Sequence, residues 1–191
     1  AQNILFNAGL AQKKIEIQKA PKAQAKTKPQ QQLKPTAPKT TKTSAHGAQA
    51  KKSAKFLADN FLMPGGVVST LSDNGQQWDY PNGWAPHQIM VWKGLINYGY
   101  NAEAQELIYR WLYMITRNAV DYNGTIPEKY DVVATTHKVF AEYGNVGTDF
   151  EYITQEGFGW MNASYQYVLS LLSETYIKHL NNLMSPEKIF T

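Results

Sequence analysis

The amino-acid sequence predicts an all-α body behind a basic N-terminal tail, and three observations carry that reading. From position 51 onward, apolar residues recur at helical spacing in successive segments. Each segment is closed by Gly or Pro. The polar, aromatic-rich stretches fall in the connections between those segments. Such a layout suits a toroid of helical hairpins, in which loops at one rim build the site.

Taken in order, residues 12–50 are Lys, Ala, Gln, Thr and Pro with almost no apolar periodicity. A segment of that composition cannot bury enough surface to offset its ordering entropy, so residues 1–50 are expected to be disordered. Ile4, Leu5 and Phe6 have no assigned role. Order is expected near Lys51, where Ala54, Leu57, Ala58 and Phe61 follow the i, i+3, i+4, i+7 pattern until Pro64-Gly65-Gly66. The next helix starts at Ala85, with Pro86 in its first turn, where a missing N–H is no loss. It presents Ile89, Trp92, Leu95 and Ile96 on one face and stops at Gly99. Asn101 is the expected N-cap of a third helix, with Glu103 and Glu106 near its positive end. Leu107, Ile108, Trp111, Leu112 and Ile115 form its apolar stripe, and Asn123-Gly124 closes it. Residues 125–156 lack helical periodicity, and a connection of that length in a compact body is usually functional. A last helix is expected from Trp160 to Leu183, with Val168, Leu171, Leu172 and Leu180 inward and Ser185-Pro186 as its stop. The body thus spans 51–184, and 185–191 is read as a C-terminal tail.

Composition bounds the function. The 191 residues make room for one ordinary domain, and 43% hydrophobic and 13% aromatic content suffices for a core. No run approaches the length of about 20 apolar residues that a membrane span needs, so no membrane partner is expected. Cysteine is absent, which excludes disulfides and thiolate metal sites. An Ala-Gln start suits a cleaved leader, so a secreted or periplasmic location is expected over a cytoplasmic one. Net charge divides sharply: +8 over residues 1–50 and −4 over residues 51–191. The basic tail contains no Arg and only Phe6 as an aromatic. A solvated linker is therefore expected there rather than a nucleic-acid arm. His46, His87, His137 and His179 are scattered without metal-ligand spacing, so no metal or other cofactor is expected.

The segment GQQWDYPNGWAP at 75–86 crowds Trp78, Tyr80 and Trp84 beside Asp79. Aromatic faces next to a carboxylate and an amide suit a sugar, whose C–H faces stack on Trp while its hydroxyls reach oxygen acceptors. The alternative is that the rings pack the loop onto the helices while Asp79 caps a turn. GFGWMNASY at 157–165 repeats the same chemistry, and Phe158 and Trp160 are expected to close the rim.

QWDYPNGWAP resembles one of the two signature motifs of the trehalase family. EKYDV at 128–132 and EGFGWMNASY at 156–165 are similar to that family's later motifs, in the same order, so the resemblance covers roughly residues 50–180. It implies part of an (α/α)6 barrel of twelve helices. It also implies inverting, cofactor-free hydrolysis of α,α-trehalose to two glucoses. Glycoside hydrolysis needs two carboxyl groups, about 6.5–9.5 Å apart in an inverting enzyme. The resemblance puts the general base on Glu128, where a neighbouring Lys and Tyr can hold a loop carboxylate ionised and aimed at water. Trp78, Asp79 and Trp84 would border the sugar, together with one of two competing Glu-Tyr pairs, Glu142 or Glu151. The family's general acid and pocket arginines belong to an upstream segment that these residues do not match. Arg110 and Arg117 are expected on a solvated helix face. The expectation is a C-terminal part of an α,α-trehalase, inactive alone, whose partners are trehalose or a similar disaccharide and a separate N-terminal half or a second copy. The alternative is a non-catalytic carbohydrate-binding or assembly remnant with a basic tether.

Overall fold

The computed structural model describes residues 44–122, 124–139 and 157–190. Five helices carry the fold: α1 (Ser44–Asn60), α2 (Ala85–Asn97), α3 (Asn101–Asp121), α4 (Gly159–Leu169) and α5 (Glu174–Asn181). Four two-residue strands, β1 (Leu62–Met63), β2 (Gly66–Val67), β3 (Asn82–Gly83) and β4 (Tyr130–Asp131), pair antiparallel as β1–β2 and β3–β4. Helix α1 begins at Ser44, ahead of the expected start near Lys51.

Helix α3 is the axis of the body. It packs against α2, α4, α5, β2 and a C-terminal 3-10 turn at Pro186–Lys188. Its stripe is wholly buried, since Leu107, Ile108, Trp111, Leu112, Met114 and Ile115 are each at most 2% exposed. Asn101 is the first helical residue rather than the cap, which falls on Tyr100 with no side-chain bond. At the far end the Gly124 N–H reaches back to Ala119 O at 2.7 Å, with Gly124 at φ 75°. That left-handed geometry suits glycine at a helix stop.

Helix α2 buries Trp92 and Leu95 as its spacing predicts, leaves Ile89 and Ile96 half-buried, and also buries Ala85 and the polar Gln88. The Gln88 carboxamide behaves like a strand partner. Its Oε1 accepts the Val67 N–H at 3.1 Å and its Nε2 donates to Val67 O at 2.6 Å. Gly65 and Gly66 of the PGG turn therefore lie against α2 and α3, while Pro64 faces solvent. A Cβ on Gly65 would meet Met114 Sδ at 2.5 Å, and one on Gly66 would meet Gln88 Oε1 at 2.9 Å. Gln88→Leu strands both backbone groups of a buried residue, and unsatisfied groups cost about 1–3 kcal/mol each. Part of this is recovered by apolar packing, so a net loss of about 2 kcal/mol is expected. An unchanged urea midpoint would refute this account of Gln88.

The long C-terminal helix expected over 160–183 is two helices. Ser173 Oγ caps α5 by accepting from Tyr176 N at 3.4 Å. Gln105 of α3 fixes the turn before it, donating to Leu171 O at 2.7 Å and accepting the Ser173 N–H at 2.9 Å. Val168, Leu172 and Leu180 are buried nonetheless, because the turn keeps them facing α3. The segment read as a tail also packs on the body. Tyr109 donates its hydroxyl to Met184 O at 2.6 Å, and Phe190 lies 5.6 Å from Tyr109 and 5.2 Å from Tyr176.

Candidate functional site

Two loops distant in sequence are joined by the β3–β4 ladder. Asn82 pairs with Asp131 and Gly83 with Tyr130, and the Val132 N–H adds a bond to Pro81 O at 3.1 Å. The ladder sets the 76–84 loop beside the residues immediately preceding Tyr130. Gly83 is required by close approach: a Cβ there would meet Val132 Cγ1 at 2.5 Å and Val67 O at 3.1 Å. Gly83→Ala is therefore expected to cost about 1–3 kcal/mol as an overpacked core position and to displace β4. Thermal unfolding together with altered tryptophan emission would register it, and a native melting curve would refute it.

The loop around β4 is held from α3. Asn118 donates from Nδ2 to Thr135 O at 2.9 Å, and its Oδ1 accepts the His137 N–H at 3.1 Å. Within the loop, Asp131 Oδ1 accepts the N–H groups of Val133 at 2.8 Å and Ala134 at 2.7 Å. Tyr130 packs against Trp111 with ring centroids 6.2 Å apart. Burial pushes its hydroxyl far above the ordinary tyrosine range, so it stays protonated near neutrality.

Glu128 lies inside this frame, 3% exposed. Its Oε2 meets Lys129 Nζ at 2.7 Å, and that nitrogen lies 4.8 Å from the centroid of the Trp78 ring. Trp78 in turn lies 5.4 Å from Trp84, and Trp84 meets His87 edge-on at 4.9 Å. A continuous row therefore runs from the carboxylate through an ammonium to two half-buried indoles. Burial lowers the Lys129 pKa below the ordinary lysine range, opposed by its bond to Glu128. The Trp84 indole Nε1 is buried without a hydrogen-bond partner among the described residues.

Of the sequence-predicted residues, Glu128, Trp78 and Trp84 come together. Asp79 belongs to the same loop, but its Oδ2 accepts backbone N–H groups of Asn74 at 2.8 Å and Gln76 at 3.3 Å. Those bonds match the turn-capping alternative. Glu142 and Glu151 lie outside the described residues, so the choice between them stays open. Phe158 and Trp160 stack 5.2 Å apart at the start of α4, with Trp160 well exposed. Arg117 is exposed as expected. Arg110 is not: it pairs with Glu106 at 2.9 Å and Glu187 at 3.3 Å, fastening the C-terminal turn to α3. Among the described residues no group of three His, Asp or Glu side chains could hold a metal ion. Sequence reasoning missed Gln88 and Asn118 as supports and left Lys129 as a mere neighbour. A polar residue on the apolar face of α2, four and seven positions before the core residues Trp92 and Leu95, is the signal that could have found Gln88.

Chemically, the row pairs one buried carboxylate with aromatic faces suited to pyranose rings. A carboxylate so placed can accept a proton from water, while a neutral indole offers a stacking surface.

A family model described as Trehalase matches residues 23–173. A probable trehalase of Saccharomyces cerevisiae is 50% identical over 145 residues, covering 70% of this chain and 18% of that protein. The cytosolic neutral trehalase of Kluyveromyces lactis is 42% identical over 159 residues, covering 75% of this chain and 21% of its own length. Among solved structures, the neutral trehalase Nth1 from Saccharomyces cerevisiae superposes with a TM-score of 0.59 at 37% identity, covering 75% of this chain and 24% of that one. The chain thus spans about a fifth of the length of the curated relatives it matches.

Proposed function

This chain belongs to the trehalase family, and we propose that it forms the C-terminal part of an inverting α,α-trehalase in which Glu128 is the general base. The observation that carries the reading is the placement of the Glu128 carboxylate, buried yet connected through Lys129 to the Trp78–Trp84 pair. In this reading Glu128 takes a proton from a water molecule as that water attacks the anomeric carbon. The glycosidic bond breaks, and the departing oxygen is protonated by an acid on the opposite side of the sugar. That acid comes from polypeptide outside these 191 residues. Trp78 and Trp84 supply the wall on which a glucose ring rests, and Glu142 or Glu151 adds a hydroxyl contact. Asp79 contributes by shaping its loop.

The test is glucose release from α,α-trehalose, followed by proton NMR so that the anomer formed first is seen. The protein carrying a complete trehalase domain is expected to release one α- and one β-glucose per turnover, as single displacement requires. The 191-residue chain alone is expected to release little or none, because proton donation must accompany proton acceptance. Trehalose-dependent quenching of tryptophan emission, with no glucose formed even by the complete domain, would replace the enzyme reading with a carbohydrate-binding one.

A further inference from the structure

Lys129 has a side chain 0% exposed, a state lysine almost never adopts unless paired. Two groups among the described residues lie against its ammonium. Glu128 Oε2 lies 2.7 Å away, and the Trp78 ring lies at 4.8 Å, within the range at which a cation is attracted to an aromatic face. The backbone bends at Glu128, which lets adjacent side chains converge rather than point to opposite faces as in a strand. Buried ion pairs are poor stabilisers, since an apolar pair of similar volume often serves the fold as well. A buried ammonium paired with the carboxylate proposed as the base therefore asks for a role beyond packing. The ring and the carboxylate also come from different loops, so the ammonium spans the junction that β3 and β4 create.

We propose that Lys129 is the positioning residue of Glu128: its ammonium, held against Oε2 and the face of Trp78, keeps the carboxylate aimed and ties it to the aromatic wall. This deepens the reading of Glu128 as the base and rests on it for its catalytic meaning. It also constrains Trp78, because the part of the ring beneath the ammonium is not available to a sugar. A glucose ring would meet the remaining surface of Trp78 or the adjoining Trp84. Lys129 itself touches no reacting atom in this scheme and acts only through Glu128.

The experiment is carboxyl-carbon NMR of Glu128 at neutral pH in the 191-residue chain and its variants. Lys129→Met is expected to broaden the Glu128 carboxyl resonance and move it from the parent position, since the carboxylate loses the charge-assisted contact that fixes its orientation. Lys129→Arg keeps the charge and is expected to leave the resonance near that of the parent. Coincident, equally sharp resonances for the Met variant and the parent would overturn the proposal. If Lys129→Met does not fold, the neutral pair Glu128→Gln with Lys129→Met is expected to recover folding, because both members of the pair are then neutral. A double variant no more stable than the single one would also overturn it. The carboxyl resonance test reports on the pair whether or not trehalose is hydrolysed. Its failure would leave the general-base reading standing, whereas full hydrolysis by Glu128→Gln would remove that reading and leave the ion pair intact.

Discussion

Glu128→Gln in the complete trehalase domain is expected to lower kcat by about 10²–10⁴-fold, the range that a general base contributes. KM should change little. The amide has the size of the carboxylate and still offers Lys129 an oxygen acceptor, but it cannot take a proton from water. The variant should also fold. The ammonium keeps the amide oxygen as an acceptor and the Trp78 face beside it, so the substitution removes a charge without opening space in the interior. Circular dichroism of the same preparation checks this, and separates lost chemistry from lost structure. Activity within about tenfold of the parent, less than the smallest contribution expected of a base, would remove Glu128 from that role.

How much of this could be read from the sequence depends on the range of the interaction involved. Helices α2 and α3 follow from local periodicity, because Trp92, Leu95, Leu107, Trp111 and Ile115 each repeat at the spacing of one buried face. The break between α4 and α5 does not follow, since Leu171 and Leu172 keep the apolar pattern running. What stops the helix is a Ser173 cap and a bond from Gln105, which is 66 residues away from Leu171. Ser173-Glu174, a capping residue before an acidic first turn, was the local clue. The two-residue strands were invisible for a related reason: they are too short for alternation to register, and their pairing joins residues 82–83 to 130–131. The aromatic loop and the candidate base were found through motif resemblance. Their juxtaposition was not, because it depends on the absence of a Cβ at Gly83 and on the support of Gln88. Asp79 illustrates the limit. A carboxylate between indoles suits a sugar in composition, yet its Oδ2 is engaged with the backbone of its own loop.

The same dependence on the core predicts that a substitution remote from the carboxylate will disable the site. Trp111 is 0% exposed at the centre of α3, with Trp92 6.5 Å away on one side and Tyr130 6.2 Å away on another. Its ring also lies 3.4 Å from where a Cβ on Gly66 would stand, so it floors the β1–β2 turn as well. Trp111→Ala is expected to destabilise the body by about 3–5 kcal/mol, through lost burial and a cavity that three different elements cannot all close. For a domain whose whole stability is about 5–15 kcal/mol, that removes a large fraction of it. Trp111→Phe makes the contrast. The indole Nε1 is buried without a partner among the described residues, so phenylalanine forfeits volume but no hydrogen bond. A loss of roughly 1–2 kcal/mol is expected for it, in the ordinary range of core substitutions. Urea unfolding of the three chains measures both values. Since Tyr130 leans on Trp111 and directly follows Lys129, the Ala variant should also loosen the Glu128–Lys129 pair, broadening the Glu128 carboxyl resonance at urea concentrations well below the unfolding midpoint. A Trp111→Ala chain as stable as the parent would mean that the β4 loop is held by Asn118 and the β3 ladder alone.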